Sequence, residues 1–153
     1  MTSLRERFMP DMKEAMKAGE KEKVAAVRLI IAALKEKDIE ARGAGKGEAS
    51  DDEILAMLQK MIKQRQESIS IYEANGRPEL AAGEKAEVAV ISSYLPKQME
   101  EAEVKAAIEE VIAEIGAAGI KDMGKVIAAL RGAYAGQMDF AKVSPMVKSL
   151  LGG

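Results

Sequence analysis

The chain has 153 residues and a formal net charge of −2; it is 48% apolar and only 3% aromatic, and it contains neither Cys nor His. Disulfides, thiolate metal sites, zinc chemistry and hydrolytic triads are thereby excluded, and the Ala-, Leu-, Ile-, Val- and Met-dominated apolar fraction favours helix-on-helix packing over aromatic-rich sheet cores. No apolar run reaches membrane-spanning length, and charges interrupt the N-terminal apolar positions too often for a signal peptide, so the expected residence is cytoplasmic, with no membrane partner.

In chain order, Ser3 with Glu6 forms a capping-box pattern, and Leu4, Phe8, Met12 and Met16 recur at four-residue spacing, which predicts a first helix running to about Gly19. Pro10 should kink this helix or mark a later start. A second helix carries Val24, Val27, Ile31 and Leu34 in one stripe, broadened by Ile30 and Ala33, and fades near Arg42. Gly43-Ala44-Gly45-Lys46-Gly47 then reads as a loop; a phosphate-binding loop would need a preceding strand, a Ser or Thr after the Lys, and a helix directly behind.

Ser50-Asp51-Asp52-Glu53 is the clearest capping box, opening a third helix whose face carries Ile54, Met57, Leu58, Met61, Ile62, Arg65, Ile69 and Tyr72. Asn75-Gly76 supplies its C-terminal stop. Pro78 suits the first turn of a fourth helix that buries Leu80, Val88, Ile91 and Leu95 before Pro96 ends it. A short link between the third and fourth helices implies an antiparallel pair, with Leu58, Met61, Ile62, Ile69, Val88 and Ile91 buried together. Arg65 lies in the apolar register and should pair with Glu84 or Glu87. Lys60 and Lys63 read equally well as a solvated face or as a phosphate contact.

Beyond Pro96, Val104, Ile108, Val111, Ile112 and Ile115 form an amphipathic helix stopped at Gly116. Two further helices follow. The first runs from about Met123 to Tyr134, and the second ends on Val143, Met146, Val147 and Leu150, with Pro145 placing its start near Ser144 or kinking it. The expected fold is therefore all-α: a helical N-terminal domain of four helices over residues 1–95, a small three-helix C-terminal domain over residues 96–153, and no strand pair.

Charge is unevenly placed. Residues 96–115 set Lys97 and Lys105 against six Glu, whereas residues 116–153 set Lys121, Lys125, Arg131, Lys142 and Lys148 against Asp122 and Asp139, a local net of +3. Within Lys121-Asp122-Met123-Gly124-Lys125, Asp122 can cap a helix whose first-turn amides, flanked by two lysines, suit a phosphate; a capped helix with solubilising lysines accounts for the same residues.

Several stretches taken together resemble the YqeY family: Leu4-Arg5-Glu6-Arg7 with Asp11-Met12-Lys13-Glu14-Ala15-Met16-Lys17, Lys63-Gln64-Arg65 through Ser68 and Tyr72 to Gly76-Arg77, Glu84-Lys85 through Glu87 to Tyr94-Leu95-Pro96, and Lys121-Asp122-Met123-Gly124-Lys125. The chain departs from many relatives in having Met99-Glu100-Glu101 rather than a small polar residue before the fifth helix, and Ser144-Pro145 within the last. The resemblance implies a helical N-terminal domain and a C-terminal domain similar to the tail of the B subunit of tRNA-dependent amidotransferases, which helps engage tRNA. Three functions compete. The first is a noncatalytic module contacting tRNA or other RNA, with Lys121, Lys125, Arg131 and Lys142 meeting phosphates and Tyr134 stacking on a base or sugar. The second is a protein-interaction adaptor that docks on a synthetase or amidotransferase. The third, which the resemblance carries by kinship, is carbon–nitrogen ligase activity with glutamine as amide donor; the lack of a Cys nucleophile, a His base and a Gly-Ser-Ser stretch argues against it. No catalytic residue, metal site or cofactor is expected.

Overall fold

The computed structural model describes residues 3–152. They form seven α-helices, α1 (Leu4–Ala18), α2 (Lys21–Gly43), α3 (Asp51–Ala74), α4 (Pro78–Ser92), α5 (Glu101–Ile115), α6 (Met123–Tyr134) and α7 (Phe140–Leu150), with one 3-10 turn at Ile120–Asp122 ahead of α6. No strand occurs among the described residues, so the helical spacing of the apolar positions is realised throughout. The chain divides into two compact units between Leu95 and Pro96.

The first unit is organised around α3. Its Ser50 capping box forms as the sequence predicts: the Glu53 amide donates to Ser50 Oγ at 3.2 Å, and Glu53 Oε1 accepts from the Ser50 amide at 3.2 Å. At the other end Gly76 takes φ +67°, which lets the Arg77 amide reach back to the Tyr72 carbonyl at 2.8 Å and closes α3 in a Schellman turn. With α3 stopped there and Pro78 opening α4, the two helices return along each other, and Arg65 on α3 donates through Nε to Glu87 on α4 at 2.7 Å. Its Nη1 also reaches the Met61 carbonyl at 3.1 Å.

The core beneath gathers Phe8 of α1, Val27, Ile30 and Leu34 of α2, Ile54, Met57, Leu58 and Met61 of α3, and Ile91 and Tyr94. Of the six residues expected to be buried together, Leu58, Met61 and Ile91 are buried and Ile62 packs partly against them. Ile69 and Val88 are only half-buried. Ile69 lies toward the turn between α3 and α4, whereas Val88 lies in the last two turns of α4. Met16 on α1 is 53% exposed and Leu80 on α4 is 39% exposed, so the apolar stripes are shorter than their periodicity suggests.

Two further expectations are corrected. Ser3 does not cap α1 with its side chain; the Glu6 amide donates to the Ser3 carbonyl at 3.1 Å. Pro10 does not delay the start of α1, since the carbonyl it leaves unpaired belongs to Glu6, which is exposed and open to water.

Two polar ties that sequence spacing did not reveal hold the first unit. Arg5 of α1 makes a bidentate pair with Asp38 of α2, both contacts at 2.8 Å, and its Nη2 also donates to the Ala49 carbonyl at 3.0 Å. The Ala49 amide in turn donates to Asp38 Oδ1 at 3.0 Å, so one carboxylate joins α1, α2 and the approach to α3. The Arg5 hydrogen bonds, then the Ala49 amide, hold the Asp38 carboxyl down at about 2.

The second tie is Tyr94, whose hydroxyl donates to Asp11 Oδ2 at 2.6 Å while its ring meets Phe8 edge-on at 4.9 Å and receives the Arg7 guanidinium at 4.9 Å. Burial, then the Asp11 hydrogen bond, pushes the Tyr94 hydroxyl above its ordinary range. Tyr94→Phe should lower the stability of this unit by about 1.5 kcal/mol, the low end of the range for a net hydrogen bond to a charged acceptor, because the Asp11 side is only half-buried. Chemical denaturation followed by circular dichroism checks this, and an unchanged midpoint would show that water replaces the bond at no cost.

Candidate functional site in the three-helix unit

The second unit wraps α5, α6 and α7 around Val104, Ala107, Ile108, Val111, Val126, Leu130, Met138, Val143 and Val147. Each helix gives one face to this core and leaves its charges outside. α5 is stopped where the sequence predicts, at Gly116 with φ +66°, and at its start Glu103 Oε1 accepts from the Glu100 amide at 3.0 Å. Ile115, expected on the buried face, is 42% exposed.

α7 begins four residues before the expected Ser144. Asp139 caps it, accepting from the Ala141 amide at 3.0 Å, and Pro145 sits inside the helix because the carbonyl it leaves unpaired belongs to exposed Ala141. Asp122 also differs from expectation. Its carboxylate turns back to the Ala118 amide at 2.9 Å and does not cap α6. That amide, followed by the nearby Lys125 and Lys121 ammonium groups, holds its carboxyl below the usual range.

The five residues expected to meet RNA are placed as follows. Lys121 lies in the 3-10 turn rather than on α6, and Lys125 is in the first turn of α6; both are exposed. Arg131 is exposed near the end of α6 with its guanidinium over the Phe140 ring at 4.9 Å, which ties α6 to the start of α7. Tyr134 is half-buried and packs against the core of this unit, so its ring is spent partly on the fold. Lys142 is exposed on α7.

Around Lys142 the structure forms a groove of about 430 Å³ that the sequence did not announce. Buried Val104, Met138 and Val143 make its floor, and half-buried Met99 and Met146 its walls. Gln98, Glu101, Gln137, Asp139 and Lys142 line its polar edge. The link before α5, residues 96–100, is tied to the turn before α7 by two bonds: the Met99 amide donates to the Gln137 carbonyl at 2.8 Å, and Gln98 Nε2 donates to the Gly136 carbonyl at 2.6 Å.

Fold and surface together define an all-helical protein whose C-terminal three-helix unit separates an acidic helix, α5, from a cationic pair, α6 and α7. The chain belongs to the family of Yqey-like proteins, whose family model matches residues 5–151. Among curated proteins it is similar to Altered inheritance of mitochondria protein 41, mitochondrial, of Saccharomyces cerevisiae, at 36% identity over 85 residues, which covers 56% of this chain and 44% of that protein. The protein of the same name from Vanderwaltozyma polyspora is 34% identical over 85 residues, covering 56% of this chain and 44% of that one. The one from Lachancea thermotolerans is 29% identical over 107 residues, covering 69% and 56%. The chain thus spans about half the length of the curated relatives it matches.

These relatives are named as mitochondrial proteins, which overturns the expectation of cytoplasmic residence. The expectation rested on apolar-run length and charge spacing, which separate a membrane span from a water-soluble helix but do not separate one aqueous compartment from another. Among the described residues, no helix is long and apolar enough to cross a membrane.

Proposed function

We propose that this protein is a noncatalytic RNA-contact accessory that handles tRNA, and that the outer faces of α6 and α7 are its contact surface. One observation carries the reading. Lys121, Lys125, Arg131, Lys142 and Lys148 are all exposed, whereas the two acidic residues of the same stretch, Asp122 and Asp139, are half-buried and spent on the Ala118 and Ala141 amides. The charge residues 116–153 offer to solvent is therefore cationic, as counterion-releasing contact with a phosphate backbone requires. The amidotransferase-tail resemblance points to tRNA as the RNA.

Filter binding of tRNA at stepped salt concentrations tests the reading. Replacing Lys121 and Lys125 together with Ala should weaken binding and flatten the dependence of log affinity on log salt by about one unit per lost phosphate contact. Lys13 and Lys17, exposed on α1, serve as the control pair. Parent-like binding by the Lys121/Lys125 variant, with loss in the control, would move the RNA surface to the first unit.

A second reading rests on α5, which exposes Glu101, Glu103, Glu109, Glu110 and Glu114, with Glu100 exposed at its N-cap, beside a single exposed Lys105. In this reading the protein is an adaptor docking on a synthetase or amidotransferase. Co-purification with and without ribonuclease separates the two, because a protein partner survives the nuclease.

A further inference from the structure

We infer that the groove between the start of α5 and the start of α7 is a pocket for a single unstacked RNA base, with preference for guanine over uracil. The inference rests on the RNA reading above and adds what that surface recognises.

The groove's volume, about 430 Å³, lies in the range of small-ligand sites, and its make-up suits a planar heteroaromatic ring. Three methionines, Met99, Met138 and Met146, line it together with Val104 and Val143. Thioether sulfur is polarisable and packs favourably on aromatic rings, so this lining accepts a flat base where a site with no aromatic platform would otherwise offer poor stacking. The occupant is set by what surrounds this apolar floor. Lys142 stands on the edge and belongs to the cationic α6–α7 stretch proposed to meet the phosphate backbone, so a base of that same strand is the apolar group brought to the groove.

The polar edge specifies the base. Gln137 lines the groove on a backbone held at both ends, its amide donating to the Tyr134 carbonyl at 3.0 Å and its carbonyl accepting from the Met99 amide at 2.8 Å. A side-chain amide in such a position offers a donor and an acceptor to a base edge. Glu101, exposed at the start of α5, adds two carboxylate oxygens, which when ionised act only as acceptors. Guanine meets acceptors with two adjacent donors, its N1–H and its exocyclic amine. Uracil meets them with one N–H between two carbonyl oxygens, which the carboxylate repels.

The test uses the full chain labelled with carbon-13 at the methionine methyls and titrated separately with guanosine monophosphate, uridine monophosphate and inorganic phosphate. Ring-current shifts of Met99, Met138 and Met146 with the guanine nucleotide, smaller shifts with the uracil nucleotide, none with phosphate, and unmoved Met57 and Met61 in the first unit are the expected result. Glu101→Gln should remove a guanine preference of about tenfold, the size of one good bidentate base contact, while keeping the Met shifts. Still groove methyls with both nucleotides, or equal shifts with phosphate alone, would overturn the base pocket. If tRNA is retained by the salt-sensitive assay while the groove methyls stay still, the pocket fails and the RNA surface stands; if tRNA is not retained at all, the RNA reading itself fails.

Discussion

Leu130→Ala should destabilise the C-terminal unit by about 3 kcal/mol, the usual cost of a cavity left by a fully enclosed leucine. Leu130 is fully buried among Val126, Ile108, Val143 and Val147, so neighbours on all three helices lose contacts at once. A unit of this size buries a smaller fraction of its surface than a full-sized domain, so a loss of this magnitude is a large share of its stability. Thermal unfolding followed by circular dichroism measures the effect. Leu150→Ala is the control: Leu150 is 36% exposed, and its truncation should change the midpoint by well under 1 kcal/mol. Similar losses for both would mean that Leu130 is not the keystone of this core.

The second large effect is expected at Asp38. Removing its charge by Asp38→Asn leaves the Arg5 guanidinium, only 25% exposed, with the Ala49 carbonyl and the more distant Glu48 carboxylate at 3.6 Å, and weakens the tie to the Ala49 amide; about 2 kcal/mol should be lost near neutral pH. The pH dependence follows from the depressed acidity. The Asp38 carboxyl sits at about 2 when folded against 3.8 ordinarily, so its stabilisation is complete above pH 4 and is lost as pH falls through 2. The stability difference between parent and Asp38→Asn should therefore shrink over that window. A difference constant from pH 6 to pH 2 would show that the pair contributes through packing and not through charge.

Much of the helical layout was written locally. The Ser50 box, the stop at Asn75-Gly76, Pro78 at the start of α4 and Gly116 at the end of α5 each involve residues within one turn, where sequence spacing and geometry coincide. The misreadings have the same physical root. Ser3 carries the pattern of a cap without the side-chain bond, and Pro145 marks a helix start only when the lost bond would matter; beside exposed Ala141 it does not. Arg5 with Asp38, 33 residues apart, and Asp11 with Tyr94, 83 apart, depend on the register of packed helices, which periodicity does not carry. The groove is assembled from the link before α5, the start of α5, the turn before α7 and α7 itself, so no contiguous motif announces it. The cationic residues were legible as a compositional excess, but the half-burial of Tyr134 and the seating of Arg131 on Phe140 came only with the fold.

The segregation of charge within the C-terminal unit has a consequence for the rate at which partners meet. Six exposed glutamates, five on α5 and Glu100 at its N-cap, and five exposed cations in the α6–α7 stretch make the unit an electric dipole, although the whole chain carries a net charge of only −2. In the field of a polyanion such a body feels a torque before it feels much net attraction, so it turns its cationic side forward during approach. Fewer encounters are then wasted in the wrong orientation, and the association rate should respond to ionic strength more steeply than the net charge alone implies.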